Sequence, residues 1–156
     1  MQLETIIAAS GNEGKIKEIV KIFKGAKVIP MREAGFGGEI EENGSSFREN
    51  ALIKAKAVAE KLNLPALADD SGLCVDFLGG APGIYSARFS GEGDAANRAL
   101  LLQKMKDATH RQAHFECAVC LYIPGGRTLF GVGRTDGEIC EEERGKRGFG
   151  YDPLFY

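Results

Sequence analysis

Two adjacent carboxylates, Asp69 and Asp70, follow the short apolar run Ala66-Leu67-Ala68, and Ser71, Gly72 and a third acid, Asp76, come close behind. An unpaired carboxylate inside a core is costly or must shift its pKa. Acids at the carboxyl end of an α/β strand are therefore better suited to a metal or a polar ligand than to packing. Asp-Asp-Ser-Gly is also good turn chemistry, so a solvated turn is the alternative. Neighbours on an extended segment point to opposite faces, so only one of Asp69 and Asp70 can serve a given site. Keeping two carboxylates ionised so close together calls for a metal or a cationic partner.

A second chemical stretch is Ser10-Gly-Asn-Glu-Gly-Lys15, between an apolar run (residues 3–9) and helically spaced Ile16, Ile19, Val20 and Phe23. Strand, Gly-containing turn and helix N-terminus together present free N–H groups and a helix dipole to an anion, and Lys15 adds a point charge. The pattern is not a Walker A loop, because only two residues separate Gly11 from Gly14. An ordinary β-α turn is the alternative. A third stretch lies near the end, where Arg144, Lys146 and Arg147 suit an anion, Phe149 and Tyr151 offer flat faces to a base, and Asp152 offers an acceptor. Here a solvated charge run followed by an edge strand is the alternative.

The elements that must hold these residues follow from periodicity. Residues 28–30 read as a short strand. Ser46-Phe-Arg-Glu49 is a capping box opening a helix whose buried stripe is Phe47, Ala51, Ala55, Val58, Ala59 and Leu62. Lys54 lies beside that stripe, where a lysine ordinarily snorkels. The Gly/Pro stretch 78–89, with Tyr85 and Arg88, reads as an Ω-loop or a lid. Asp94 caps a helix to about Lys106, buried through Leu101, Leu102 and Met105. Residues 113–123 and 128–135 read as antiparallel strands joined by Pro124-Gly125-Gly126, and 137–140 as a shorter strand.

The 156 residues, 44% hydrophobic and 27% charged, fit one globular domain with room for a core. A net charge of -2 argues against a nucleic acid polymer or an anionic membrane as partner. No apolar run is long enough to span a bilayer, and Met1-Gln-Leu-Glu4 has no basic signal-peptide start. The expected setting is cytoplasmic. Cys117 and Cys120 have C-x-x-C spacing, but on a strand they face opposite ways. Buried reduced thiols are the better reading for them and for Cys74 and Cys140. His110 and His114 stand in no nucleophile arrangement, which leaves metal-assisted attack of water on a phosphate as the natural chemistry.

Four motifs then occur in order: Ser10-Gly-Asn-Glu-Gly-Lys15; Glu41-Glu-Asn-Gly-Ser-Ser-Phe-Arg-Glu-Asn-Ala51; Ala68-Asp-Asp-Ser-Gly-Leu73 with Gly79-Gly-Ala-Pro-Gly-Ile-Tyr-Ser-Ala-Arg88; and Phe149-Gly-Tyr-Asp-Pro153. Through them the chain resembles the inosine triphosphate pyrophosphatase family over essentially its whole length. The resemblance implies an elongated, two-lobed α/β fold with a long mixed twisted sheet, flanking helices and a central cleft, assembled as a homodimer. It implies Mg²⁺-dependent hydrolysis of ITP, dITP and XTP to the monophosphate and pyrophosphate, a nucleotide-pool sanitising role. It assigns Ser10, Gly11, Asn12, Glu13, Gly14 and Lys15 to the triphosphate. Glu41 and Asp70 would hold Mg²⁺, and Asp70 would also activate water. Lys54 and Ser71 would contact substrate, and Phe149, Gly150, Tyr151 and Asp152 would form the base pocket. The family's C-terminal Ser-His-Arg does not occur in the sequence. The expectation is a C-terminally truncated domain (residues 1–156) of weakened activity and selectivity, with Leu154, Phe155 and Tyr156 as an exposed apolar edge. An inactive nucleotide binder and a septum-formation-inhibitor-type pyrophosphatase are the competing readings.

Overall fold

A computed structural model describes residues 4–145 and 150–156. The order is β1 (Thr5–Ala8), α1 (Glu13–Ile22), β2 (Lys27–Pro30), α2 (Phe47–Leu62), β3 (Ala66–Val75), α3 (Asp94–Lys104), β4 (Gln112–Ile123) and β5 (Arg127–Glu138). The strands form one sheet in the order β2-β1-β3-β4-β5. β1 pairs in parallel with β2 and, through Ile7–Ala66 and Ala8–Leu67, with β3. β4 and β5 are neighbours joined by the tight turn at 124–126, which requires an antiparallel hairpin. The sheet is mixed, as expected.

The chain divides into two compact units, one comprising residues 1–70 and 118–132, the other 71–117 and 133–156. In the first unit the pleat of β1 sorts its side chains onto two faces. Ile7 and Ala9 join Ala51, Ala55, Val58 and Ala59 of α2 in one apolar cluster, while Ile6 and Ala8 join Ile19 of α1 and Leu67 in another. Ala51, Ala55 and Ala59 of α2 recur at helical spacing and are fully buried, so that helix approaches the sheet closely. In α1 only Ile19 is buried. Val20 is 47% exposed, so it lies outside the stripe that its spacing suggested.

α2 starts as its capping box predicts, with Ser46 Oγ accepting from Glu49 N at 3.0 Å. The return contact differs. Glu49 Oε2 accepts from Ser45 N at 2.7 Å and from Ser45 Oγ at 3.0 Å, one residue earlier than expected. These contacts hold the Glu49 carboxyl below its ordinary pKa, the Ser45 N–H bond acting most strongly.

The second unit is built on Leu73, Val75, Leu101, Met105, Ala113, Ile139, Tyr151 and Leu154. Asp94 does not cap α3. Gly93 occupies that position, and Asp94 Oδ2 instead accepts from Gly150 N at 3.2 Å. β5 continues to Glu138, so residues 137–140 are not a separate strand. The expected apolar edge is also corrected. Leu154 is fully buried, and Phe155 stacks edge-on against Phe115 with centroids 4.6 Å apart. Tyr156 alone of the three is exposed. The segment exchanges backbone bonds with β5: Glu138 N donates to Tyr156 O and Tyr156 N to Glu138 O, at 3.0 and 2.9 Å. Gly137 permits this approach, because a Cβ there would lie 2.5 Å from Tyr156 O.

Candidate active site

The acid-bearing segment is not the end of a strand, nor is it a turn. β3 runs unbroken from Ala66 to Val75, so Asp69 and Asp70 are mid-strand residues on an extended backbone. Ala66, Leu67 and Ala68 before the acids and Leu73 and Val75 after them pack into apolar clusters, which holds the chain straight through Asp-Asp-Ser-Gly and overrides its turn propensity. Alternation then separates the two acids. Asp69 Oδ2 lies 2.9 Å from Lys15 Nζ, and Asp70 Oδ2 accepts from Asn50 Nδ2 at 3.1 Å.

Lys15 is delivered by the turn after β1. Asn12 caps α1, its Oδ1 accepting from Lys15 N at 3.1 Å, and Ser10 Oγ accepts from Asn12 N at 3.1 Å. Gly14 keeps that cap open, since a Cβ there would sit 3.1 Å from Asn12 Oδ1. The strand–turn–helix geometry read from Ser10–Lys15 is therefore present, with Gly11, Asn12, Glu13 and Gly14 exposed.

Asn50 was not singled out by the sequence reading. It lies three residues after Phe47 on the buried stripe of α2 and is 2% exposed. A buried amide needs partners, and this one has them on both ends: its Oδ1 accepts from Gly44 N at 2.8 Å while its Nδ2 donates to Asp70. An asparagine on an otherwise apolar helical stripe is the signal that could have found it. Gly44 must be small here, since a Cβ would lie 2.7 Å from Asn50 Oδ1 and 2.7 Å from Glu49 Cβ.

Lys54, one turn further along α2, pairs with Glu42 at 3.0 Å. Glu41, the acid expected beside Asp70 as a metal ligand, is exposed, and its neighbour Glu42 is half-buried. Burial is the main influence on Asp70 and pushes its carboxyl above the ordinary value. The Asn50 bond and then Lys54 pull it down, Glu42 pushes it up, and Lys15 pulls it down. Asp70, Lys15, Lys54 and Glu42 are thus electrically coupled within the first unit.

Ser71 is exposed and belongs to the second unit, as do Gly150, Tyr151 and Asp152. Tyr151 does not present a free face to a base. It is 5% exposed, sits in the core of its unit, and donates its hydroxyl proton to Ser86 O at 2.6 Å. Arg98 Nη1 and Asp94 hold Gly150 through its carbonyl and its N–H. Phe149, Lys146 and Arg147 lie outside the described residues. The four cysteines are free thiols. No helix among the described residues is long and apolar enough to cross a membrane.

Carboxylates and lysines beside a helix N-terminus, on an α/β sheet, are the groups that a phosphate-bearing ligand and its counter-ion call for. The comparisons with known proteins agree with that class. The family model of the Ham1 family matches residues 6–156. The dITP/XTP pyrophosphatase of Bacillus subtilis (strain 168) is 46% identical over 159 residues, covering 98% of this chain and 80% of that protein. The dITP/XTP pyrophosphatase of Desulfotalea psychrophila (strain LSv54 / DSM 12343) is 48% identical over 155 residues, covering 97% of this chain and 70% of that protein. The structure of the Staphylococcus aureus Ham1 protein superposes with a TM-score of 0.91 at 44% identity, covering 98% of this chain and 81% of that one. The chain belongs to the Ham1 family.

Proposed function

We propose that this chain hydrolyses non-canonical purine nucleoside triphosphates, dITP, XTP and ITP, to the monophosphate and pyrophosphate. The observation that carries the reading is Asp70, a half-buried carboxylate oriented by Asn50 and flanked by Lys54, Glu42 and Lys15, in a chain of this family. Relatives of 46% and 48% identity, named dITP/XTP pyrophosphatases, support this substrate class and do not favour an inactive binder or a septum-formation-inhibitor-type enzyme.

In this reading a water oxygen bonds to the α-phosphorus as the bond from that phosphorus to the α–β bridging oxygen breaks, and pyrophosphate leaves. Asp70 accepts the water's proton. Lys15 and the N–H groups opening α1 hold phosphate oxygens, Lys15 exchanging its Asp69 partner for them. Lys54, now paired with Glu42, and Ser71 contact the substrate. Gly150, Asp152 and Phe149 serve the base, and Tyr151 anchors that segment through Ser86.

The acids suit a hard divalent cation such as Mg²⁺. Carboxylate oxygens are its preferred donors, and a cation would offset both the burial of Asp70 and the nearby Glu42 charge. Asp70 and Glu41 would hold it, and when bound it would polarise phosphate oxygens. A single domain in the cytoplasm, read from the sequence, and a homodimer, implied by the resemblance, complete the proposal. The test is to incubate the chain and Mg²⁺ with dITP, dGTP or dTTP and measure pyrophosphate. Preferential release from dITP is expected, and equal or no release from the three would defeat the reading.

A further inference from the structure

The second unit carries a set of donors of different chemistry. His114 and Glu116 are two residues apart on β4 and so share a face, and Cys74 on the neighbouring β3 meets them there. One ligand atom from each of Cys74, His114 and Glu116 lies within 4.8 Å of the other two. His114 Nδ1 is buried without a hydrogen-bond partner, which is uncommon for a polar atom shut off from water. His114 Nε2 is 3.9 Å from Glu116 Oε2, too long for a hydrogen bond. Cys74 is 8% exposed, and burial raises its thiol pKa.

We infer that Cys74, His114 and Glu116 form a binding site for a borderline-soft divalent transition metal, Zn²⁺ being the natural occupant. The donor set decides the class of ion. Thiolate and imidazole select Zn²⁺ or Co²⁺ over Mg²⁺, which prefers oxygen. Three protein donors with a solvent-supplied fourth is an established zinc arrangement. Tetrahedral bonds of about 2.0–2.3 Å place donors roughly 3.5 Å apart, so side-chain rotation of around an ångström closes the set on an ion. Glu116 is 37% exposed, which gives an ion a route in from solvent. Binding replaces the Cys74 thiol proton, which leaves to solvent, with a metal–sulfur bond. Of the charges near the thiol, Asp76 and Glu116 favour a cation and Arg134 opposes it, and Arg134 is itself paired with Asp136 at 2.7 Å. An occupied site would tie β3 to β4 inside the second unit and shares no residue with the acids proposed for catalysis.

The test titrates Co²⁺ into the metal-stripped chain with Mg²⁺ in excess, so that oxygen-only sites are filled. One equivalent is expected to develop a near-ultraviolet thiolate-to-cobalt charge-transfer band together with visible bands of a tetrahedral ion. Zn²⁺ should bleach both and raise the unfolding temperature. Cys74→Ser should remove the charge-transfer band, whereas Cys140→Ser should keep it. Because Cys74 is buried, His114→Gln and Glu116→Gln supply the second arm, each weakening Co²⁺ binding roughly tenfold or more. Absence of the band in the unmodified chain, its survival in Cys74→Ser, or unchanged affinity in both glutamine variants would overturn the assignment.

Discussion

Asn50 on α2 fixes Asp70 on β3: its amide nitrogen donates to Asp70 Oδ2 at 3.1 Å while its amide oxygen holds Gly44 N at 2.8 Å. One buried side chain thereby ties the loop before α2 to the carboxylate that the proposed reaction uses. Asn50→Ala should leave Gly44 N–H without its acceptor and Asp70 without its orienting donor. The expected cost is about 1–3 kcal/mol, or about 2–4 °C in unfolding temperature for each kcal/mol in a chain of this size. Turnover should fall by roughly tenfold or more even where the protein is fully folded, because a base out of position loses its rate advantage. Thermal melts and pyrophosphate release at a temperature well below the transition separate the two effects. Unchanged turnover would show that Asp70 needs no orienting partner.

Asp70→Asn keeps the size of the side chain and can still accept from Asn50, so the fold should persist. It removes the charge and basicity, and hydrolysis should drop by about 10²–10⁴-fold, the usual range for a general base. Asp69→Asn should be milder, since Asp69 faces Lys15 rather than Asn50. Circular dichroism together with pyrophosphate release checks both variants. Near-normal turnover in Asp70→Asn would remove it from the mechanism, and equal losses in the two would mean that strand alternation does not separate their roles.

Lys15 stands in the first turn of α1 with Asp69 2.9 Å away. A point charge on phosphate carries no information about the base. Lys15→Ala should therefore raise KM for dITP, XTP and dGTP by a similar factor. Steady-state kinetics on the three substrates is the measurement. A change in the dITP-to-dGTP ratio without a general loss of affinity would place Lys15 at the base instead.

Much of this was legible in the sequence, for physical reasons that also explain the misses. β1, α2 and the β4–β5 hairpin carry clean periodicity bounded by Gly, Pro and a Ser46 cap, and they form as read. The opposition of Asp69 and Asp70 needed only the twofold period of a strand. Local turn propensity misled at Asp-Asp-Ser-Gly, because the buried residues of β3 before and after it hold the backbone extended there. It misled again at 137–140, where pairing with residues 154–156 extends the structure around β5. Asp94 looked like a cap because cap preference is local, while its partner Gly150 is distant in sequence. Tyr151 looked like a stacking surface because an aromatic beside glycines gives no hint of burial. Its hydroxyl bond to Ser86 is a tertiary fact.

That buried bond sets a pH dependence. Tyr151 donates to Ser86 O, its ring is enclosed, and burial, aided by the charge of Asp94, pushes its pKa up to about 12. In the unfolded chain a tyrosine titrates near 10. A group whose folded pKa is raised contributes stability that is whole below the unfolded value and is lost as pH climbs through the folded one. Between about pH 10 and 12 the unfolded state has shed this proton and the folded state has not, so stability must fall with pH, by on the order of 3 kcal/mol in all. Cys120, raised to about 11 by burial, adds a fall that begins lower. Tyr151→Phe isolates the tyrosine. It should be less stable by about 1 kcal/mol at pH 8, having lost a hydrogen bond, yet its stability should fall less steeply above pH 10. Urea unfolding at a series of pH values should therefore give two curves that approach and cross between about pH 10 and 12. Parallel curves would mean that the phenol reaches solvent before it ionises.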